Sequence, residues 1–263
     1  MTQQHPTSRT KAWVAIVLLV ALGSICIAAA QWQLRRAHTR EAIHAARLAG
    51  QQAAPLVLSA SQTDGPDWHR ATVRGHWLNP LTVLLDNRNL KGRPGFWVAT
   101  PLALQDAAQT VVLVLRGWLP RPMPPAKLPL LYATEGLVTI NGTLLHHIPR
   151  LLDLGVFTGT PDNTLPQPFP PADGTVPALQ NLSLDAFAKA TSLTVLPVII
   201  QQSPTKDAGL IQEWPGPSEN AGQNYNYALQ WSSFAAIALI AAAITLWRTL
   251  RRKSLSTSDD SLS

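Results

Sequence analysis

Two adjacent histidines, His146 and His147, are the first residues in this 263-residue chain whose type suggests metal binding. They follow a segment rich in Val, Leu, Ile and Thr that has the character of a strand. Neighbouring side chains of a strand point to opposite faces, so the two rings do not converge on one metal ion. His69 and His76, seven residues apart, also fall on opposite faces. We therefore predict four solvated or packed histidines and no metal site.

The other residues that could carry out chemistry also lack the neighbouring residues that a catalytic or metal site would need. The single cysteine, Cys26, lies in an apolar run, and no CxxC pair is present that would hold zinc or copper. The GxGxxG, P-loop, HExxH and GxSxG patterns do not occur. Asp64 and Asp67 lie in the turn sequence TDGPDW, where carboxylates commonly stabilise the turn. We therefore predict that the protein is not an enzyme.

The positive charge of the chain is confined to its two ends. The formal net charge is +6, yet residues 48–226 carry eleven Lys and Arg against twelve Asp and Glu. A nucleic-acid-binding domain is expected to have a basic surface in its folded part. This middle segment is close to neutral, so we exclude nucleic acid as a partner. Basic ends beside apolar runs are typical of membrane proteins.

Two uncharged apolar runs divide the chain. The first covers 23 positions and the second covers 21, and about 20 apolar residues allow a helix to cross a bilayer. The predicted organisation is a cytoplasmic tail, a transmembrane helix, an extracytoplasmic domain, a second transmembrane helix and a basic cytoplasmic tail. In that order the segments are residues 1–11, 12–34, 35–226, 227–247 and 248–263.

A cleaved signal peptide is the rival interpretation of the first apolar run. Ala28 to Gln31 resembles a small-residue cleavage site, and Arg9 and Lys11 would form the positive region that precedes such a run. Against this, the uncharged run is long, and an amphipathic stretch continues it as a helix. We therefore predict an uncleaved transmembrane helix.

The distribution of Lys and Arg near the apolar runs indicates the orientation in the membrane. Six basic residues flank the runs on the side of the two tails: Arg9, Lys11, Arg248, Arg251, Arg252 and Lys253. Four lie on the side of the central domain: Arg35, Arg36, Arg40 and Arg47. This bias predicts cytoplasmic termini and a periplasmic central domain. The short first tail does not fit a transit peptide, so we predict a bacterial inner membrane.

The middle of the chain has the composition of a β domain. Six segments are rich in β-forming residues and are separated by turn signals: residues 71–78, 81–88, 95–102, 110–120, 137–145 and 193–202. Residues 183–192 have the periodicity of a helix that Ser183 can cap. The proline-rich residues 161–177 are typical of an irregular loop. The predicted fold class is an α+β membrane protein, in which two transmembrane helices flank one mostly antiparallel β domain with one or two helices.

A short pattern occurs twice among the predicted strands. Residues 71–78, ATVRGHWL, and residues 138–145, VTINGTLL, share a Thr, a Val or Ile, and a Gly at matched positions. A glycine inside a strand often marks a bulge or a close approach of another backbone. We expect one of these at Gly75 and Gly142; chance similarity of two β-rich octamers is the alternative.

The tryptophans fall into two groups. The first group marks the ends of the apolar runs, where interfacial aromatic residues concentrate, and comprises Trp13, Trp32, Trp231 and Trp247. The second group belongs to the predicted β domain and comprises Trp68, Trp77, Trp97, Trp118 and Trp214. We predict core packing for most of the second group.

Three sequence blocks lie at the two apolar runs and in the β domain between them. WQLRRA, at 32–37, closes the first apolar run, and YALQWSSFA, at 227–235, opens the second. Between them, residues 85–121 contain LDNRNLKGRPGFWVATPL followed by VLVLRGWLPR. Together, and in this order, the blocks resemble the surfeit locus protein 1 family of cytochrome c oxidase biogenesis factors. The resemblance covers nearly the whole chain.

The resemblance implies a non-catalytic membrane assembly factor for cytochrome c oxidase, a haem-copper oxidase. It would aid haem a insertion or the maturation of subunit I, with haem a as a transient cofactor. Its partners would be subunit I and the haem a synthesis machinery. The alternative is a membrane-anchored periplasmic protein-binding or enzymatic domain unrelated to oxidase assembly. The positions that match the family motifs are Trp32, Gln33, Arg35, Arg116, Gly117, Trp118, Pro120, Tyr227, Ala228, Gln230 and Trp231.

One position departs from the family pattern. The family usually has a histidine three residues before its Tyr-Ala pair, and that histidine is a candidate haem ligand. Here the residue is Asn224. Haem iron is normally held by His, Cys, Met or Tyr, so the resemblance does not carry an axial ligand over to this chain.

The start of the second apolar run predicts how the two helices pack. Tyr227, Gln230, Trp231 and Phe234 are spaced to share one helix face. An adjacent stripe of small residues, suited to close packing, comprises Ala228, Ser232 and Ala236. We expect Gln31 or Gln33 to hydrogen-bond Gln230 across the helix pair; separate solvation of each amide by lipid headgroups is the alternative.

Overall fold

The chain divides into two compact units. The computed structural model describes residues 7–123, 125, 128–129, 131, 133–151, 164–205, 209–216 and 221–259. One unit, the helical unit, comes from residues 1–44 and 217–263, and the other, the β domain, comes from residues 45–216.

Three α-helices lie within the described residues: α1, Thr7–Gln52; α2, Leu184–Thr191; and α3, Ala221–Asp259. Helices α1 and α3 are long and apolar enough to cross a membrane. Both continue past the predicted apolar runs, since no proline interrupts them; α1 ends three residues before Pro55, where the ring would disfavour the helical conformation of the preceding residue. The prediction of an α+β membrane protein is confirmed.

The helical unit has a packing seam in which buried or half-buried positions recur at spacings of three and four. On α1 these are Ile16, Leu19, Gly23, Cys26, Ala30, Gln33, Ala37 and Arg40. On α3 they are Asn224, Ala228, Trp231, Ala235, Ala238 and Ala242. This is the spacing of two helices that pack side by side. Small residues bring the backbones close: a Cβ on Gly23 would lie 3.0 Å from Leu239 and 3.7 Å from the carbonyl oxygen of Ala235.

The described part of the β domain contains eight strands. They are β1, Leu56–Leu58; β2, Arg70–Trp77; β3, Val83–Leu85; β4, Gly95–Leu104; β5, Ala107–Pro120; β6, Leu137–Leu145; β7, Ala178–Leu179; and β8, Thr194–Gln202. Five of the strand pairings are antiparallel, and β1–β2, β3–β7 and β5–β8 are parallel. The sheet is therefore mostly antiparallel, as predicted.

Five of these strands form a closed ring. Their order is β2-β6-β8-β5-β4, and an additional pairing of β2 with β4 joins the two ends. Alternate residues of all five strands fill one hydrophobic cluster, as expected for the interior of a small barrel. Its members include Ala71, Val73, Leu102, Leu104, Val112, Val114, Ile140, Leu144, Leu196, Val198 and Ile200. The barrel interior is thus a packed core.

A second cluster covers the outer side of the barrel. It contains Trp97 from β4, Trp118 from β5 and Phe187 from α2, and all three are buried. The predicted cap of α2 is confirmed, because the Ser183 hydroxyl accepts a hydrogen bond from the Ala186 amide at 3.1 Å. Strands β4 and β5 are therefore buried on both faces. Because both faces are buried, their sequences are nearly continuous apolar runs rather than alternating ones. Residues 164–177 form no helix or strand; residues 161–163 of the predicted loop lie outside the described residues.

The two matched glycines lie where a strand pairs with two neighbours at once. Gly75 of β2 pairs with Leu104 of β4 and with Val138 of β6. A Cβ on Gly75 would lie 2.0 Å from the Ala103 carbonyl oxygen, and one on Gly142 would lie 2.4 Å from the Gln201 carbonyl oxygen. The predicted close backbone approaches are confirmed at both positions.

Candidate functional site

Three polar side chains of the helical unit join α1 to α3. The Asn224 Nδ2 group donates a hydrogen bond to the Gln33 Oε1 atom at 2.7 Å. The Arg40 Nη1 group donates to the Asn224 Oδ1 atom at 2.6 Å. Gln33 and Arg40 are seven residues apart and so share one face of α1. We call Gln33, Arg40 and Asn224 the polar triad.

The polar triad decides what Asn224 can do. Only 7% of the residue is exposed, and both ends of its amide are engaged. A hydrogen bond to a charged group is among the stronger ones, contributing about 1.5–3 kcal/mol. An amide that is not a usual iron ligand, and whose oxygen already accepts from a guanidinium, does not fit axial ligation of haem. Asn224 is instead a helix-to-helix contact.

A second group of side chains joins α1 to α3 at positions next to the triad in sequence. The Tyr225 hydroxyl donates to the Glu41 carboxylate, and the His38 Nδ1 atom lies 3.7 Å from the Glu41 Oε2 atom. The rings of His38 and Tyr225 meet edge to face, with centroids 6.2 Å apart. This end of the helical unit, which leads in sequence to the β domain, is called the domain end. The polar triad and the contacts among His38, Glu41 and Tyr225 together fix the spacing of α1 and α3 at this end.

Sequence reasoning did not identify Arg40, His38 or Glu41 as members of this cluster. Arg40 was counted only as a charge that flanks an apolar run. Its seven-residue spacing from Gln33 was the available signal, because it places both on the face that faces α3. The partner on α3 is a contact across 184 residues of sequence, which no local pattern reports.

The small-residue stripe predicted to pack closely on α3 is wrong in two of its three members, and most of the residues predicted to share the neighbouring face are exposed. Of Tyr227, Gln230, Trp231 and Phe234, only Trp231 is half-buried, and the others are exposed. Ala228 is buried as expected, but Ser232 and Ala236 are exposed. The physical reason is that a strict every-fourth stripe rotates about 40° around the helix at each step. The seam alternates steps of three and four and therefore stays in line.

The expected hydrogen bond from Gln31 or Gln33 to Gln230 is not present among the described residues, and Gln31 is exposed. Gln33 is the acceptor for Asn224, and Gln230 is exposed on another side of α3. Most residues of the first family block are exposed on α1. Trp32 and Arg35 are exposed, and the Arg36 guanidinium lies 5.2 Å from the centre of the Trp32 ring.

The second family block builds a β-bulge in the barrel. Val98 pairs with Gly117 and Ala99 with Leu115, so Arg116 is the extra residue of β5. Gly117 has φ +156°, and a Cβ there would lie 2.8 Å from the Leu210 Cβ atom. Arg116 and Gly117 therefore form the bulge that interrupts the regular pairing of β5 with β4.

The two residues that follow the bulge also have structural roles. The Trp118 indole donates to the Arg88 carbonyl oxygen at 2.6 Å. Pro120, the last residue of β5, pairs with Gly95 at the start of β4. The block thus fixes the end of the β4–β5 pairing at which β4 begins and β5 ends.

Two arginines are buried in the β domain beside tryptophan rings. Arg116 donates to the Leu131 carbonyl oxygen at 2.5 Å and lies 5.5 Å from the Trp77 ring. Arg88 donates to two backbone carbonyl oxygens and lies 4.5 Å from the Trp97 ring. Burial lowers the pKa of Arg88 to about 10, partly opposed by the charge of Asp86. These cations stabilise the fold and are not presented to a ligand.

His146 lies between two carboxylates. Its Nδ1 atom is 2.8 Å from Asp67 Oδ1 and its Nε2 atom is 2.9 Å from Asp64 Oδ1. The hydrogen bond with Asp67 is the largest effect and raises the pKa of His146. Burial opposes it, and the charge of Asp67 together with the hydrogen bond and charge of Asp64 adds to the rise. Both aspartates lie in the turn sequence 63–68, as predicted, and His146 fastens that turn to the end of β6. His147 is exposed.

The raised pKa of His146 predicts a pH-dependent contribution to stability. A raised folded-state pKa adds stability that is complete below the unfolded pKa of about 6.5 and is lost as the pH rises through the folded pKa. All three side chains are well exposed, so the contribution should not exceed about 1 kcal/mol. We expect His146→Gln to lower the melting temperature at pH 5.5 and to have little effect at pH 9. His147→Gln is the matched control; an equal effect of His146→Gln at both pH values would contradict the assignment.

The fold and the site together define a class of protein. Two helices long and apolar enough to cross a membrane flank a barrel domain in the sequence, and the motif residues Arg116 and Trp118 are buried in that domain. No group of side chains that could hold a metal ion occurs among the described residues. This is the architecture of a membrane-anchored β-barrel domain. A model of the SURF1 family matches residues 20–236. The chain therefore belongs to the SURF1 family, the surfeit locus protein 1 family of cytochrome c oxidase assembly factors. A search of curated proteins gave no match.

Proposed function

We propose that this protein aids the maturation of subunit I of cytochrome c oxidase at the step of haem a insertion. The observation that carries the proposal is the family match across residues 20–236, which includes the motif-bearing parts of both long helices and the whole barrel. The family supports a role in cytochrome oxidase assembly. The protein acts without catalysis, as an assembly factor in contact with subunit I and with the haem a synthesis machinery.

The proposed location follows from the helices and the charges that flank them. The protein spans the bacterial inner membrane twice, with both termini in the cytoplasm and the β domain in the periplasm. The polar triad then lies at the periplasmic end of the helix pair. In this position it would hold α1 and α3 at a fixed spacing beside the membrane-embedded subunit.

Asn224 shapes the role that we propose for haem a. The family's candidate ligand position is filled by an amide that Gln33 and Arg40 both engage. Haem a contact is therefore proposed to be transient and to use no iron ligand from residue 224. The protein would support haem a insertion mainly by binding subunit I.

The proposal is tested by deleting the gene and restoring it on a plasmid. Deletion should lower oxidase activity and the haem a absorption band of the membranes, and the wild-type gene should restore both. Unchanged oxidase spectra after deletion would contradict the proposed function. In the same strain, the purified wild-type protein should carry less haem a than Asn224→His, which supplies an imidazole. Equal haem a spectra would show that residue 224 does not control haem contact.

A further inference from the structure

Besides its seam with α1, helix α3 has a second line of side chains, most of which are exposed. Its residues are Tyr227, Gln230, Phe234, Ile237 and Ala241, and we call them the outer face. Their spacing alternates between three and four, which is the spacing of a helix-packing surface. At 1.5 Å per residue the outer face is about 21 Å long. It therefore extends along most of the thickness of a bilayer's hydrocarbon core.

Two concavities lie along the outer face. One, of about 560 Å³, is at the domain end and is lined by Tyr227, Gln230, Ser233 and Phe234, among others. The other, of about 290 Å³, is a groove between the two helices and is lined only by apolar side chains and Cys26. Phe234 borders both, so the concavities follow one another along α3.

The groove continues an interface that already exists in the chain. Leu19, Leu22 and Cys26 of α1 form one wall, and Phe234 and Ile237 are among the residues of the other. Cys26 and its neighbour Ala238 also belong to the seam between α1 and α3. A third helix in this groove would extend the same packing, and Ala238 and Ala241 would let its backbone approach closely.

Gln230 indicates which kind of occupant fits. The residue is exposed and lies inside the apolar run 227–247. It is only about 4.5 Å along the helix from Tyr227 and next to Trp231, the tryptophan at this end of the run. At that level an amide is solvated by lipid headgroups or hydrogen-bonds a polar side chain of a neighbouring membrane helix, and the adjoining groove between α1 and α3 favours the helix. A water-soluble protein could not reach the groove.

We propose that the outer face of α3 binds one membrane-spanning helix of a cytochrome c oxidase subunit. Gln230 hydrogen-bonds a polar side chain of that helix, while Phe234 and Ile237 border the groove in which the helix lies. The inference rests on the proposed function, since it names the surface through which assembly contact is made. It assigns a partner contact to the family block that opens α3.

The test is photo-crosslinking in cells that make the oxidase. Phe234 of the full-length protein is replaced with benzoylphenylalanine, and adducts are identified by mass spectrometry. Ala236 is the matched control site, because it is exposed two residues away on another side of α3. We expect an oxidase membrane subunit in the adduct from position 234, with several-fold less from position 236. Adding Gln230→Leu should lower the yield about three-fold, the factor for one interhelical hydrogen bond.

Several results would overturn the inference. Adducts only with a second copy of the chain would make the outer face a self-association surface. Adducts only with lipid, or equal yields at positions 234 and 236, would also contradict it. The haem a band is measured in the same cells. Absence of the subunit adduct while the band still depends on the gene would overturn the docking surface alone, and an unchanged band after gene deletion would overturn the proposed function.

Discussion

Replacing Trp118 with alanine should lower the free energy of unfolding of the β domain by about 3–5 kcal/mol. Trp118 is 1% exposed and belongs to the cluster that covers the outer side of the barrel. Its ring lies against Gly95, where an added Cβ would be 2.5 Å from the indole. Its Nε1 group also donates to the Arg88 carbonyl oxygen, which would lose a buried partner. The large cavity and the lost hydrogen bond act together.

Urea unfolding of the full chain in detergent, followed by the circular dichroism of the β domain, would measure this loss. Trp247→Ala is the matched control, because Trp247 is 55% exposed on α3 and should change the same transition very little. The prediction also concerns the family motif. A Trp118→Ala protein as stable as the wild type would mean that the Arg-Gly-Trp block has a role other than support of the fold.

Replacing Gly75 with alanine should destabilise the same domain by about 3 kcal/mol, at the upper end of the usual cost of overpacking. The new Cβ would lie 2.0 Å from the Ala103 carbonyl oxygen. That oxygen is part of the backbone of β4, which is paired on both sides. Relief of the clash would have to move β2 away from β4, and this pairing is the one that closes the barrel.

Gly65→Ala is the matched control for the Gly75 substitution. A Cβ at Gly65 would lie 2.4 Å from the Leu56 Cδ1 atom, but that atom is the end of a side chain that can rotate away. Gly142→Ala should behave like Gly75→Ala, since its Cβ would meet the Gln201 carbonyl oxygen. Equal melting temperatures for Gly75→Ala and Gly65→Ala would show that β2 and β4 are not locked at this point.

Local sequence patterns predicted most of the strands and the small helix. Strand β6 was predicted over its full range, and β2, β4, β5 and β8 to within a few residues, because each is a long apolar or alternating segment bounded by turn residues. Strand β3 was predicted too long. Strands β1 and β7 were missed, since segments of two or three residues have no periodicity of their own and form by pairing with β2 and β3.

The candidate site was predicted in its parts but not in its contacts. The family blocks singled out Gln33 and identified Asn224 as an unusual residue. They did not indicate that these two bind each other, or that Arg40 completes the triad. The buried positions of Arg88 and Arg116 were also unforeseen, because an arginine in a strand sequence gives no sign that aromatic rings and backbone carbonyls will enclose it.

The sequence by itself determined the two membrane helices, the β domain between them and the family. The length of an apolar run, the periodicity of a strand and the order of the motifs are all visible in the linear sequence. Only the tertiary structure decided which face of α3 meets α1, that β2 and β4 close the barrel, and that the amide of Asn224 is held by Gln33 and Arg40. Each of these depends on contacts between residues distant in the chain. A helix presents several apolar faces of similar composition, and only the partner surface selects one of them.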